Sequence, residues 1–338
     1  MAKREVEQAS IRGDGKIVPI CIEADNLAEA THKAILGCYE KGIRVETPKQ
    51  RAGMTLGYDA DMLISVRNPD SEPKICSPGI QDDARGLMQY ILEVTHGIHN
   101  HWKKNAEHPE WWGYTYNERF VDQLPFVFQR IEKEWKEKGR ISGRDYNFSI
   151  WRAGEDIILE QPDAPCFQRG QFRFVDNSEG EIVMSYQTDW RSRDLLKAWN
   201  ENNLGQVELM KLVAARVSKM TGQPIKLGSY TDRSSSLHLY GMYFDRDGLA
   251  DKIKQMKQDG WEARSMTLGD YIGDPTQMKR LIAAQMDAES KGYGLNQPAE
   301  QLAERGYNLD TFEYPADWDS WPKSWDAKPD VTKLARVI

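Results

Sequence analysis

Residues 204–220 place apolar side chains on nearly every side of the helix they would form: Leu204, Val207, Leu209, Met210, Leu212, Val213, Val217 and Met220. A surface helix shows one apolar stripe, so a helix of this kind has to be enclosed by other layers. Gly222 supplies its stop. The rest of the chain must therefore build the walls, and its hydrophobic period says what they are made of. Before residue 140 the period is helical. Residues 24–41 align Leu27, Thr31, Ala34 or Ile35, and Cys38, with Asp25 or Asn26 as the cap. Residues 84–96 align Leu87, Ile91 and Thr95, and residues 118–137 align Leu124, Phe128, Ile131 and Trp135. The period then falls to two, through Tyr146, Phe148 and Ile150, then Phe172 and Phe174, then Ile182, Met184 and Tyr186. Asp176-Asn177-Ser178-Glu179-Gly180 reads as the hairpin loop between the last two runs. Strand character returns over 236–244, and 248–258 form a helix with Leu249, Ile253 and Met256 on one face. Leading helices, a run of strands and one enclosed helix predict an α+β fold with helices against a sheet.

A chain of 338 residues with 40% hydrophobic content can bury one large core or two modest ones. No internal repeat or low-complexity linker divides it, so residues 1–338 read as one domain. The tail after 306 carries Trp318, Trp321, Trp325 and three prolines and reads as irregular chain packed on the surface. No run of 18 apolar residues exists, which excludes a membrane-spanning helix. Met1-Ala2-Lys3-Arg4-Glu5 is charged with no apolar stretch behind it, so no secretory signal is expected. Cys21, Cys38, Cys76 and Cys166 are far apart and share no C-x-x-C spacing, which suits a reducing cytoplasm better than a disulfide scaffold or zinc ribbon. The net charge is -7 with acids and bases mixed, whereas a binder of nucleic-acid polymers shows a basic face. Arginines that hold a phosphate would have to be gathered locally.

Such a gathering exists near Cys166. Pro165-Cys166-Phe167 follows the loop Gln161-Pro162-Asp163-Ala164 and precedes the strand from Gln171 to Val175. A cysteine at a loop–strand junction can project into a cleft, although free cysteine is more often a small buried apolar side chain. Thiolate formation needs nearby positive charge. Trp190-Arg191-Ser192-Arg193-Asp194 ends the next strand. Pairing of the two strands would bring its arginines to the thiol, and without that pairing the cluster is a solvated turn.

From Pro165 to Tyr240 the sequence resembles thymidylate synthase and its relatives, the pyrimidine nucleotide hydroxymethylases. Proline-cysteine is followed, five residues after the cysteine, by Gln171-Phe172; then comes the phosphate motif R-S-x-D as Arg191-Ser192-Arg193-Asp194. Asn202 stands eleven residues after Arg191, where the family has its base-reading asparagine, and His238-Leu239-Tyr240 matches the ribose-binding H-x-Y. Further out, Ser142-Gly143-Arg144-Asp145 with Ser149-Ile150-Trp151 is similar to the segment that sends arginines across the dimer, with Arg144 kept and the second arginine replaced by Asp145. Trp112-Gly113-Tyr114-Thr115-Tyr116 resembles G-P-V-Y, which makes Tyr116 the relay tyrosine. Gln50-Arg51-Ala52-Gly53 matches the mobile phosphate-binding arginine loop, and Arg336-Val337-Ile338 the short apolar tail that closes over folate. Two departures stand out. Phe167 replaces the histidine that follows the catalytic cysteine. The helix that should carry the catalytic glutamate reads Gln89-Tyr90-Ile91-Leu92-Glu93, so anchoring on Gly97 puts Tyr90 at that position and leaves Glu93 as the nearest acid.

The resemblance implies a central mixed sheet covered by helices, a buried central helix, and sheets packing across a homodimer with shared active sites. It implies 5,10-methylenetetrahydrofolate as cofactor and a pyrimidine nucleoside monophosphate as substrate. Cys166 would add to carbon 6 of the base, splitting one hard step into easier ones. Arg51, Arg191, Ser192, Asp194 and, from the partner, Arg144 would serve the nucleotide, Asn202 the base, and His238 and Tyr240 the sugar. Tyr116 and Glu93 would move protons. The rewritten loop His96-Gly97-Ile98-His99-Asn100-His101-Trp102 favours a positioned water and hence a hydroxymethyl product; if Trp102, Trp111 or Trp112 rebuilds the folate platform, the product is methyl. Uracil or cytosine, and ribose or deoxyribose, stay open. Two rival readings remain: a metal site on His96, His99, His101 and His108, four of the six histidines, and a non-catalytic nucleotide-binding module.

Overall fold

Along Ile182–Trp190 every second residue is buried, which is the mark of a strand with one face on a core. The computed structural model in which this is seen describes residues 16–46, 55–80, 83–102, 113–158, 164–294 and 296–334. The chain begins β1 (Ile20–Ala24), α1 (Leu27–Lys41), β2 (Ile43–Val45), β3 (Gly57–Val66), β4 (Ile75–Cys76) and α2 (Ala84–His96). It continues α3 (Tyr116–Phe120), α4 (Leu124–Lys138), β5 (Asn147–Ser149), α5 (Ala153–Asp156), β6 (Phe167–Asp176), β7 (Ile182–Trp190), β8 (Arg193–Asp194), α6 (Trp199–Thr221) and β9 (Ile225–Leu239). It closes with α7 (Gly241–Arg246), α8 (Leu249–Asp259), β10 (Ser265–Met266), α9 (Leu268–Ile272), α10 (Pro275–Ser290), α11 (Ala299–Glu304) and α12 (Val331–Leu334).

The main sheet runs β1-β3-β9-β7-β6-β5, with β2 paired to β3 and β8 to β9. It is mixed: β1 with β3 and β7 with β9 are parallel, while β3 with β9, β7 with β6 and β6 with β5 are antiparallel. Helix α1 packs on β1 and β3, and α6 on β9, so one face of the sheet takes helices. The register lines up Cys21, Leu63, Arg233, Asp189 and Arg169 in one row on the opposite face, and each is exposed or half-buried. The α+β class with a mixed sheet is therefore what the chain adopts. No described helix is long and apolar enough to cross a membrane.

Several expectations shift. The helix expected over 118–137 breaks between Phe120 and Leu124. Pro125 lacks an N–H and its ring crowds the carbonyl four residues back, so it opens a new helix at α4. The strand expected over 236–244 starts at Ile225 and ends at Leu239. The chain then turns into α7 at Gly241, where an added Cβ would lie 1.6 Å from the Thr55 carbonyl oxygen. Helix α6 begins five residues before the expected 204, because Trp199 to Asn203 are buried although mostly polar. The tail is not wholly a surface feature. It folds into short turns at Ala316–Asp319 and Lys323–Asp326, and Trp318 and Trp325 are buried with the core, the latter 5.6 Å from the Phe128 ring.

Candidate active site

Strands β6 and β7 pair with Phe167 opposite Trp190, and the Arg191 N–H donates to the Cys166 carbonyl at 2.8 Å. This is the pairing that brings the arginines to the thiol. The Arg191 guanidinium donates through Nε to the Pro165 carbonyl at 3.0 Å and through Nη2 to the Ala164 carbonyl at 2.5 Å. Its charge is thus pinned to the backbone that leads into the cysteine. Arg193 is not part of a solvated turn. It is buried, paired through Nη2 with Asp232, and donates through Nε to Ser234 Oγ at 3.2 Å and through Nη1 to Asn203 Oδ1 at 3.2 Å. Its guanidinium lies 4.2 Å from the centre of the Trp190 ring. Asp232 also accepts from Thr188 Oγ1 at 3.0 Å and Trp199 Nε1 at 3.0 Å. A buried ion pair survives when its remaining valences are satisfied in this way. Burial pushes the Cys166 thiol above its ordinary range, and Arg191 and then Arg193 pull it back part of the way.

Cys166 opens into a cavity of about 280 Å³. Tyr90 and Glu93 of α2 form one wall, Tyr114, Thr115 and Tyr116 a second, Ser192, Arg193 and Asp194 a third, and Ala198 and Asn202 at the start of α6 a fourth. The site therefore gathers Cys166, Tyr116, Glu93, Ser192, Asp194 and Asn202, all named from the sequence. Of the neighbours Glu201, Asn202 and Asn203, it is Asn202 that lines the cavity, while Asn203 Oδ1 is taken up by Arg193 and the Tyr230 hydroxyl. A larger, open depression of about 570 Å³ beside α4 is lined by Arg130, Lys133, Glu134 and their neighbours and holds none of these residues.

The phenols of this cavity are protonated donors. Burial pushes Tyr114 up to about 12, with the nearby Cys166 adding to the rise, and burial puts Tyr116 well above the ordinary tyrosine range. Tyr116 stands edge-on to Phe167 and Trp190, at 5.7 and 5.6 Å between ring centres. Phe167 itself is fully buried and stacked on Trp190 at 4.5 Å. The strand's alternation has turned this position into core, so its side chain is absent from the cavity wall.

The other expected residues fall elsewhere. His238 and Tyr240 do not line the cavity but lie beside Asp194, which does. His238 is opposite Asp194 in the β8–β9 ladder, with its ring 4.7 Å from that of Tyr240. Burial lowers His238 against the pull of Asp194 and Asp59, and its Nε2 is buried without a hydrogen-bond partner. Tyr243, which the sequence reading did not single out, donates to Asp194 Oδ2. Arg144 is exposed and away from the cavity, and its carbonyl accepts from Gln171 Nε2 at 2.7 Å. Arg51, Trp111, Trp112, His108 and the tail residues Arg336 to Ile338 lie outside the described residues. Among the described residues no three His, Cys, Asp or Glu side chains converge as a metal cluster would. Tyr90, Tyr114, Thr115, Arg193 and Ala198 also line the site; the available signal was their adjacency to Glu93, Tyr116, Ser192 and Asp194.

No model of a known protein family and no curated protein sequence matches this chain. Among solved structures it is similar to the thermostable thymidylate synthase A from Bacillus subtilis, at 14% identity and a TM-score of 0.41, over 68% of this chain and 84% of that one. What the fold and cavity define in their own right is an α+β protein in which a thiol, three phenols, two carboxylates, an amide and the Arg193 guanidinium share one pocket, with Arg191 beside it.

Proposed function

We propose that this protein is an enzyme that adds a one-carbon unit to carbon 5 of a pyrimidine nucleoside 5'-monophosphate through a covalent adduct of Cys166 with carbon 6. One observation carries the reading: Glu93, Tyr116, Cys166, Ser192, Asp194 and Asn202 come from five separate segments of chain and line a single cavity. The Cys166 sulfur forms a bond to carbon 6, and the displaced electron pair moves through carbon 5 to the oxygen or amine at carbon 4. Covalent addition of this kind makes carbon 5 nucleophilic. Asn202 offers one donor and one acceptor to the base edge. Arg191 and Ser192 serve the phosphate, as the planar guanidinium fork suits, and Arg51 joins them. His238 and Tyr240, beside Asp194, serve the sugar. Tyr116 and Glu93 carry protons.

5,10-Methylenetetrahydrofolate would supply the one-carbon unit at the oxidation level of formaldehyde. The lining fits a hydrogen-bonding heterocycle: the Glu93 carboxylate, the Asn202 amide and the phenols of Tyr90, Tyr114 and Tyr116 share the one cavity. The uncovered face of the sheet supports a homodimer, with Arg144 reaching the partner's phosphate. Of the two outcomes, we favour the hydroxymethyl product, because Glu93 lines the cavity and can deprotonate a water near the reacting carbon.

The test is a ternary complex. The protein is incubated with methylenetetrahydrofolate and 5-fluoro-dUMP or 5-fluoro-dCMP, denatured, and weighed by mass spectrometry. The expected result is an adduct on the peptide containing Cys166 and none in Cys166→Ala. Absence of adduct with both nucleotides would overturn the reading. With unfluorinated nucleotide, release of dihydrofolate in step with product would replace hydroxymethylation by methylation.

A further inference from the structure

We propose that His99 is the positioning residue for Glu93, holding one carboxylate oxygen so that the other is presented to the cavity. The two residues are joined by a hydrogen bond from His99 Nδ1 to Glu93 Oε2 at 3.4 Å. His99 is 3% exposed, whereas Glu93 lines the cavity. No described residue bonds to the second oxygen, Oε1. A carboxylate anchored at one oxygen loses rotation about its last bond, and that loss pre-organises it for proton transfer. The bond is long for N–H to O. Bonds of this kind tighten when a ligand fills the site.

His99 can perform this role because its own position is over-determined. Its ring is stacked face to face on Trp102, with centres 3.6 Å apart and planes 6° from parallel. The turn that carries it leaves α2 through Gly97, whose φ of 67° is left-handed and favours glycine. A Cβ there would meet Asn100 Nδ2 at 2.3 Å and Asn117 Oδ1 at 2.4 Å. Those two amides form a clamp. Asn100 Nδ2 donates to Asn117 Oδ1 at 2.9 Å, Thr115 Oγ1 donates to Asn100 Oδ1 at 2.5 Å, and Asn117 Nδ2 donates to the Val94 carbonyl at 2.9 Å. The Trp102 N–H closes the turn on the His99 carbonyl at 2.9 Å. Thr115 lies in the cavity wall, so the clamp ties the histidine turn directly to the site. The nearby histidines do not share the arrangement: His96 is turned to the carbonyls of Asp317 and Ser320, and His101 stands at the edge of the Trp102 ring. Nδ1 donating to the carboxylate is the arrangement by which an outer partner orients a ring and fixes its tautomer.

The catalytic consequence rests on the function proposed above; the contact itself does not. Two substitutions separate positioning from packing. His99→Phe keeps a flat ring on Trp102 and deletes the donor. His99→Asn restores an N–H near the Nδ1 position and gives up the stack. Exchange of the carbon 5 hydrogen of dUMP and dCMP with solvent is measured for each, with kcat and KM separated and thermal midpoints recorded. Expected for His99→Phe is a fall in kcat of about tenfold or more, with KM within about threefold and an unchanged midpoint, and His99→Asn recovers most of the loss. Glu93→Gln combined with His99→Phe is no slower than Glu93→Gln alone, as expected for two residues acting as one unit. Near-normal kcat in His99→Phe, or equal losses in both variants, would overturn the positioning role. If the wild type exchanges neither nucleotide, the proposed reaction is wrong. The pairing is then read by nitrogen NMR of the His99 ring: a shift of its Nδ1 resonance in Glu93→Gln supports the pair, and no shift overturns it.

Discussion

At Cys166 two influences oppose each other. Burial holds the thiol above its ordinary range, and Arg191 followed by Arg193 lowers it. The free protein should therefore keep a largely protonated, slow thiol at neutral pH, since the thiolate is the nucleophile. Iodoacetamide alkylation of Cys166 is expected to climb about tenfold per pH unit and to show no plateau by pH 9. Arg191→Met removes the nearer charge and the two bonds to the carbonyls of Ala164 and Pro165, so alkylation at a given pH should slow further. A plateau below pH 8 in the wild type, read from peptide mass spectra, would show that the arginines outweigh burial. Cys166, Ser192, Asp194 and Asn202 were legible only through the family resemblance of their motifs, since position alone left a buried cysteine and a solvated turn as alternatives. The burial of Arg193 was not, because its counter-charge, Asp232, is 39 positions further along the chain and arrives only when β8 pairs with β9.

Elements tell a similar story. Helix α2 was readable end to end, since Asp83 caps it through Gly86 N–H and Gly97 stops it in a left-handed conformation. The first turn of α6 was not, because Asn200, Asn202 and Asn203 add no apolar side chain to the helical pattern and are buried through contacts that only the tertiary fold supplies, such as Asn200 Nδ2 to Thr31 Oγ1 at 2.9 Å. The tail was likewise opaque, since its attachment depends on α2. His96 Nε2 lies 2.8 Å from the Asp317 carbonyl and 3.1 Å from the Ser320 carbonyl, and Lys279 Nζ reaches the Trp318 carbonyl at 2.9 Å. Burial lowers His96 below the ordinary 6.5, outweighing the upward pull of those carbonyls and of Asp317, with Lys279 acting in the same downward sense. Because the folded value lies below the unfolded one, the unfolded chain takes up the proton first as pH falls. The stability this neutral ring contributes is complete above 6.5 and is lost as pH drops through the lower folded value. Amide exchange at Trp318 and Ser320 should accelerate between pH 7 and pH 5, after correction for intrinsic rates, before that of β7 does. His96→Asn should flatten this dependence. An equally steep profile in the variant would assign the loosening to another group.

For the whole molecule the main question is what the second face of the sheet does. Its row of Cys21, Leu63, Arg233, Asp189 and Arg169 mixes apolar and charged side chains, some already paired within the face, as Arg169 Nε is with Asp189 Oδ2 at 2.6 Å. A sheet that buries one face and leaves such a row open is suited to isologous contact, in which the same patch meets itself across a twofold axis. Arg144 points to the same arrangement. It is exposed, it lies three residues before β5 at the sheet edge, and it does not line the cavity of its own chain. If it serves the partner's phosphate, each site needs two chains. Light scattering should then give a dimer for the wild type, and Leu63→Glu, which puts a charge at an apolar position of the row, should shift it towards monomer with loss of activity. The shared site has a sharper signature. Arg144→Ala and Cys166→Ala homodimers should each be close to inactive, for different reasons. After subunit exchange, each mixed dimer has one site lacking both residues and one site with both intact. Half of the dimers are mixed at equal concentrations, so recovery should approach a quarter of wild-type activity per site, about 25% by random pairing. Mixing has to be proved independently, by a mass tag on one parent. A proven mixed dimer with no recovered turnover would remove Arg144 from the active site and leave the cavity complete within one chain.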